Sequence, residues 1–184
     1  MLQASAIERS ASFDPTGRYR YHLGRRWSAV EPLLAIIMLN PSQADGSVDD
    51  PTIRRCMGLA QGWGFGAIAV VNLFAYRSPH PTELRQAADP IGPDNDNALI
   101  TAAHSADQIV LAWGNWGRWQ GRDRTVLALL APAQPKLCCL GYNRTGQPRH
   151  PLYLPRQTRP IPWLPEPSQP APSRQSGEHQ RGSG

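Results

Sequence analysis

The sequence predicts an α/β fold, a three-layer α/β/α sandwich around a short, mostly parallel central sheet of about four strands. Three observations carry that expectation. Four short apolar runs, residues 33–39, 67–71, 108–112 and 136–140, have strand length rather than helix length. Helix signals fall between them, and polar or turn residues close them. A chain of 184 residues is long enough for one domain with a core and too short for two ordinary ones.

Residues 1–12 are small and polar and are expected to form a flexible N-terminus, with a single α/β domain over 13–163. Pro15 and Gly17 predict a turn before residues 19–23, which alternate like an edge strand, and Gly24, Arg25 and Arg26 then turn the chain into Trp27. Residues 33–39 are apolar on both faces, the mark of a central parallel strand, and they stop at Asn40-Pro41. Asp50 as N-cap and Pro51 at the first helical position predict a helix running to Ala60, closed by Gly62, Gly64 and Gly66. The next strand, 67–71, ends on Asn72. Short helices are expected over 82–87 and 95–104, a third strand over 108–112 opening into Trp113-Gly114, a helix over 124–130, and a fourth strand over 136–140. Residues 164–184, rich in Pro, Ser, Gln and Gly, are expected to be a disordered tail.

Composition narrows the function classes. The formal charge of +5 rests almost wholly on arginine, since Lys136 is the one lysine; arginine suits phosphate and base contacts, and an arginine-favouring codon bias accounts for the charge equally well. Cys56, Cys138 and Cys139 form no C-x-x-C pair and no disulfide ladder, so they read as reduced core residues. No basic segment followed by an apolar stretch opens the chain and no run reaches about 18 apolar residues, so a cytoplasmic protein without a membrane partner is expected. A phosphate loop, a dinucleotide fingerprint, an H-E-x-x-H pair and a G-x-S-x-G elbow are all absent from the sequence.

In a parallel sheet, ligands sit outside the carboxyl ends of the strands. Those ends bring forward Asn40-Pro41-Ser42, Asn72, Trp113-Gly114 and the loop from Gly141 to Leu154. Asn40 can orient a water through its amide, or serve as an Asn-Pro turn bonding its own backbone. Asn72 offers the paired donor and acceptor that a pyrimidine edge requires, or caps its strand. His150, between Arg149 and Pro151, suits anion stabilisation or proton transfer, or satisfies backbone groups in a loop. Asp45, Asp49 and Asp50 suggest a cation site or a base, but helix capping explains Asp50 better and no metal is expected. Trp113, Trp116 and Trp119 recur every three residues, as in a packed helix turn or a stacking wall.

Four strings, Ile37-Met-Leu-Asn-Pro-Ser42, Asp50-Pro-Thr-Ile-Arg-Arg55, Val70-Val-Asn-Leu-Phe-Ala75 and Arg149-His-Pro-Leu-Tyr153, resemble a bacterial and phage family known only as a domain of unknown function. More distantly, the order of elements is similar to the uracil-DNA glycosylase superfamily: Asn40-Pro41 resembles its first motif, Asn72 its base-reading Asn, Trp113-Gly114 its third, and His150-Pro151 its late loop. That likeness implies a uracil-DNA-glycosylase-like fold and a metal-independent, cofactor-free hydrolysis of the N-glycosidic bond of a damaged or modified base in DNA. It implies that Asn40 positions the attacking water, His150 stabilises negative charge on the departing base, and Asn72 reads the base. Leu154 is then the wedge, and Pro41, Ser42, Phe74, Trp113, Gly114 and Arg149 complete the substrate-binding set, with Phe74 or Tyr76 as the stacking aromatic. The chain departs from the pattern at Met38, where the superfamily usually has glycine, after Pro151, where no Ser follows, and at Asn40, where Asp would activate water more strongly. The expected partner is DNA or a nucleotide or nucleoside ligand, and the chain is expected to be a monomer. Two other readings are an enzyme or sensor for a free nucleotide or modified nucleoside, and a non-catalytic nucleic-acid binding module.

Overall fold

A computed structural model describes residues 6–164. Among them, strands β1 (Glu8–Phe13), β2 (Arg20–Arg26), β3 (Leu33–Met38), β4 (Ala67–Asn72), β5 (Gln108–Leu111), β6 (Leu137–Cys139) and β7 (Ile161–Pro162) form one mixed sheet in the order β1-β2-β4-β3-β5-β6-β7. The α-helices are α1 (Pro51–Gly62), α2 (Pro81–Leu84), α3 (Asn95–Ser105) and α4 (Arg122–Leu129).

The centre of the sheet is the four parallel strands β4-β3-β5-β6, which correspond to the four apolar runs. The sheet is nevertheless larger than four strands, because β1, β2 and β7 extend it in antiparallel fashion. Residues 8–12, expected to be flexible, are part of β1; its side chains are mostly exposed, so it is held by its ladder to β2 and carries no apolar alternation to betray it. The strand expected at the edge over 19–23 is interior, between β1 and β4, and it does not turn at Gly24. Gly24 serves close packing instead: a Cβ there would lie 2.4 Å from Ser10 Oγ. The helix expected over 82–87 is only the single turn of α2. Of the tail expected over 164–184, residues 165–184 lie outside the described residues, as do 1–5 of the N-terminus.

Alternate residues of the parallel strands face opposite sides, giving two apolar clusters. On one side Leu34, Ile36 and Met38 of β3 and Ile68 and Val70 of β4 pack against Ile53, Cys56 and Met57 of α1. On the other, Ala35, Ile37, Ile109 and Leu111 pack against Leu99, Ala102 and Ala103 of α3 and Val126 of α4. Helices thus cover both faces and make three layers. All three cysteines are buried and free, and burial pushes the thiols of Cys56 and Cys138 up to about 12.

Two features of the topology create the site. The parallel strands end in register, Met38 beside Asn72, Ile37 beside Leu111 and Leu111 beside Cys139, so their outgoing loops leave at one level. The helix after β3 lies on one face while the helix after β5 lies on the other, which opens a crevice where the connections diverge.

Candidate functional site

A cavity of about 540 Å³ lies at that crevice. Asn40, Ser42, Asn72, Trp113, Gly114, Arg149, His150 and Leu154 line it together with Arg20, Asp50, Trp116 and Tyr153. Of the residues expected in the site, Pro41 and Phe74 are not on its wall.

Asn40 follows β3. Its Nδ2 donates to the carbonyls of Pro41 at 3.0 Å and Ser78 at 2.9 Å, which commits both amide protons to the loop. The turn role and the site role therefore coexist: Oδ1 is the atom left to accept a hydrogen bond in the cavity. Pro41 is buried, and its carbonyl also accepts from the Ser78 N–H at 2.9 Å, so it shapes the loop from behind.

Asn72 ends β4 and is 1% exposed. Its Oδ1 accepts a long, weak bond of 3.5 Å from Arg20 Nη2, and its Nδ2 has no partner among the described residues. Its backbone is pinned from below, since Asn95 Nδ2 donates to the carbonyls of Asn72 at 3.0 Å and Leu73 at 2.9 Å. Arg122 Nε donates to the Leu73 carbonyl as well, at 2.8 Å, and its Nη2 pairs with Asp96.

The three tryptophans neither share a helix face nor build one wall. Trp113 is buried, Trp116 is 40% exposed on the cavity wall, and Trp119 packs on Phe74 with ring centroids 4.9 Å apart. They lie in or next to a 3-10 segment, Asn115–Gly121, that kinks at Trp119 and Gln120. Phe74 is thereby a fully buried core residue and cannot stack on a ligand in the cavity. Tyr76 stacks edge-on against Tyr19 and does not line the cavity. Gly114 has φ +75 and ψ −163, a conformation open essentially to glycine alone, and its N–H donates to the Pro148 carbonyl at 3.0 Å.

His150 begins the 3-10 turn Pro151–Tyr153, and its Nδ1 accepts from the Leu152 N–H at 3.3 Å. An accepting Nδ1 places the proton of the neutral ring on Nε2. Burial pushes the imidazole below its ordinary pKa against the opposing pull of the Asp50 carboxylate, which favours the neutral ring, whose donor is Nε2–H. Leu154 is 5% exposed, and its carbonyl accepts from Arg55, so it belongs to the floor and does not protrude. The protruding neighbour is Tyr153, 90% exposed. Arg149 is exposed, lies across Gly141 and makes no side-chain hydrogen bond among the described residues.

The acidic cluster divides. Asp49 pairs with Arg9 and Arg25 at 2.9 and 2.7 Å, and Asp45 accepts from the backbone of Ser47 and Val48, which holds its carboxyl down to about 2. Asp50 alone of the three lines the cavity, and it also caps α1 by accepting from the Ile53 N–H at 2.8 Å. No group of three or more His, Cys, Asp or Glu side chains placed to hold a metal occurs among the described residues. No helix among them is long and apolar enough to cross a membrane.

One group escaped sequence reasoning: Arg20 reaches the cavity from β2, an interior strand whose pattern reads as an edge, and it does not stand at the end of a parallel strand. Asp50, expected as a helix cap or a base, is a cap that also lines the cavity.

No curated protein and no solved structure matches the chain. A family model described as a protein of unknown function (DUF1643) matches residues 20–152, which run from the start of β2 into the 3-10 turn after His150 and include every residue named on the cavity wall except Tyr153 and Leu154. The match covers more than half of the chain, and the chain belongs to the DUF1643 family.

Proposed function

We propose that this chain is a nucleobase-recognising hydrolase of the uracil-DNA-glycosylase type, acting on the N-glycosidic bond of a damaged or modified base in DNA. The observation that carries the reading is the convergence of Asn40, Asn72, Trp113-Gly114 and His150, from four separate segments, on one cavity at the carboxyl edge of the parallel strands. In this reading Asn40 Oδ1 accepts from the attacking water, and the Asp50 carboxylate takes its proton as the water oxygen bonds to C1′. The C1′–N electrons leave with the base, which takes up a proton, and the products are free base and an abasic sugar. His150, neutral, donates through Nε2 to the departing base. Trp116 and Tyr153 at the mouth offer ring faces for stacking, and Arg149 offers a cation for phosphate. The cavity's volume favours a second reading, since about 540 Å³ holds a free nucleoside whole.

The test is incubation of the purified chain with single- and double-stranded oligonucleotides carrying uracil and other altered bases, followed by alkaline cleavage at abasic sites. Abasic sites from at least one substrate, lost in Asp50→Asn, support the reading. No abasic site from any substrate, with a nucleoside but not DNA raising the melting temperature, overturns it in favour of the small-molecule reading.

A further inference from the structure

Three arginines of the described residues are almost fully buried: Arg20 at 3%, Arg25 at 1% and Arg122 at 3% exposure. Two of them have carboxylate partners, Arg25 with Asp49 and Arg122 with Asp96. Arg20 has none within ion-pair distance among the described residues. Its Nη1 donates to the Ala44 carbonyl at 2.7 Å, its Nη2 makes only the 3.5 Å contact with Asn72, and its Nε is buried without a partner. Asp50 and Asp45 act on it at a distance, and burial lowers its pKa to about 10, which leaves it charged at neutral pH.

A buried cation without a paired anion is costly, and folded chains normally avoid it. The uncompensated arginine is also the one of the three that lines the cavity. Next to it, Asn72 Nδ2 is a second buried donor with no acceptor, and its Oδ1 is turned toward the guanidinium. Asn72 therefore presents a donor to an occupant, rather than the paired donor and acceptor expected of a free amide. Positive charge and an orphan N–H side by side describe the complement of an oxygen bearing negative charge.

We propose that Arg20 and Asn72 form a buried subsite for an anionic oxygen of the ligand, with Arg20 supplying the compensating charge and Asn72 Nδ2 a second hydrogen bond. The subsite rests on the cavity being the ligand site and does not depend on bond hydrolysis. Two sources supply such an oxygen: the carbonyl of a dioxopyrimidine whose ring nitrogen has lost its proton, or the phosphate of a nucleotide. A base held in this way arrives with acceptors facing Arg20, so amino-bearing edges are disfavoured.

Calorimetric titration of the full chain with uracil, the more acidic 5-fluorouracil, cytosine, uridine and uridine 5′-monophosphate, from pH 6 to 9, separates the sources. A base anion is the occupant if 5-fluorouracil tightens about tenfold as it ionises while cytosine does not. A phosphate is the occupant if uridine 5′-monophosphate binds about tenfold more tightly than uridine at every pH. Either result supports the subsite, provided that Arg20→Met removes the preference for the charged compound over its neutral counterpart. Equal affinity for charged and neutral compounds, or a preference that survives Arg20→Met, overturns it. Should Arg20→Met not fold, Asn72→Asp serves: a carboxylate placed beside Arg20 neutralises it within the chain, so the anion preference must vanish in a folded protein. Persistence of the preference there overturns the proposal. Because free bases and nucleotides need no bond cleavage to bind, a negative glycosylase assay and a failed subsite remain distinguishable.

Discussion

Trp113 Nε1 donates to Gln147 Oε1 at 2.7 Å, a buried bond between residues 34 positions apart. Gln147 Nε2 in turn donates to Asp123 Oδ2 at 3.1 Å, at the start of α4. This chain fastens the loop after β5 to the late loop that carries Arg149 and His150, and so holds two walls of the cavity together. Gly117 allows it: a Cβ there would lie 2.1 Å from Trp113 Cδ1, inside the indole ring's contact distance.

Gln147→Leu is expected to leave the Trp113 N–H and Asp123 Oδ2 without a partner in the interior, while Asp123 Oδ1 keeps the Arg124 N–H. Each buried orphan costs about 1–3 kcal/mol, so urea unfolding should show a clear loss of stability together with weaker ligand binding. A variant as stable as the wild type would show that the bond does not join the two loops.

Asn40→Asp should not act as an improved water activator. Nδ2 of Asn40 faces the carbonyls of Pro41 and Ser78, and a carboxylate there would confront two acceptors with none of its own protons. The expected outcome is a destabilisation of about 1–3 kcal/mol with no gain in rate, read by denaturant titration and the abasic-site assay. A faster and equally stable variant would contradict the geometry.

Asp50 combines a cap with a place on the cavity wall, and two substitutions separate these roles. Asp50→Ala removes the acceptor for the Ile53 N–H and should cost roughly 0.5–2 kcal/mol, whereas Asp50→Asn keeps a capping oxygen and should cost little. Asp50→Asn nevertheless removes the carboxylate from the cavity, and in the reaction proposed above hydrolysis should fall by roughly 10²–10⁴-fold. Thermal melts and turnover measured on both variants check this.

His150 makes stability depend on pH in a defined direction. Burial holds its folded pKa below the ordinary value of 6.5, so below that pH the unfolded chain takes up a proton that the folded ring resists. Stability is therefore present in full above about 6.5 and is lost as pH falls through the window between the unfolded and folded pKa values. His22, also lowered by burial, acts in the same sense, so the comparison is wild type against His150→Asn, which keeps a cap acceptor for the Leu152 N–H without a titrating ring. The urea midpoint of the wild type should fall further between pH 7.5 and 5.5 than that of the variant; parallel curves would remove His150 from the account.

The sequence by itself determined the four parallel strands, because runs apolar on both faces have no stable place except the middle of a sheet covered on both sides. It also determined the start of α1, where Asp50 and Pro51 satisfy and pre-set the first turn, and it marked Asn40, Asn72, Trp113-Gly114 and His150 as groups delivered to strand ends. Tertiary structure decided what those groups can do. Whether Asn40 offers its NH2 or its oxygen depends on the carbonyls of Pro41 and Ser78, and whether Leu154 or Tyr153 protrudes depends on which one α1 covers. The edge strand β1 was illegible because a ladder of backbone hydrogen bonds leaves no pattern in side chains. Arg20 was illegible for a related reason: an arginine in a strand reads as a surface residue until the fold shows that its charge is buried, that no carboxylate among the described residues meets it, and that it faces the same cavity as Asn72.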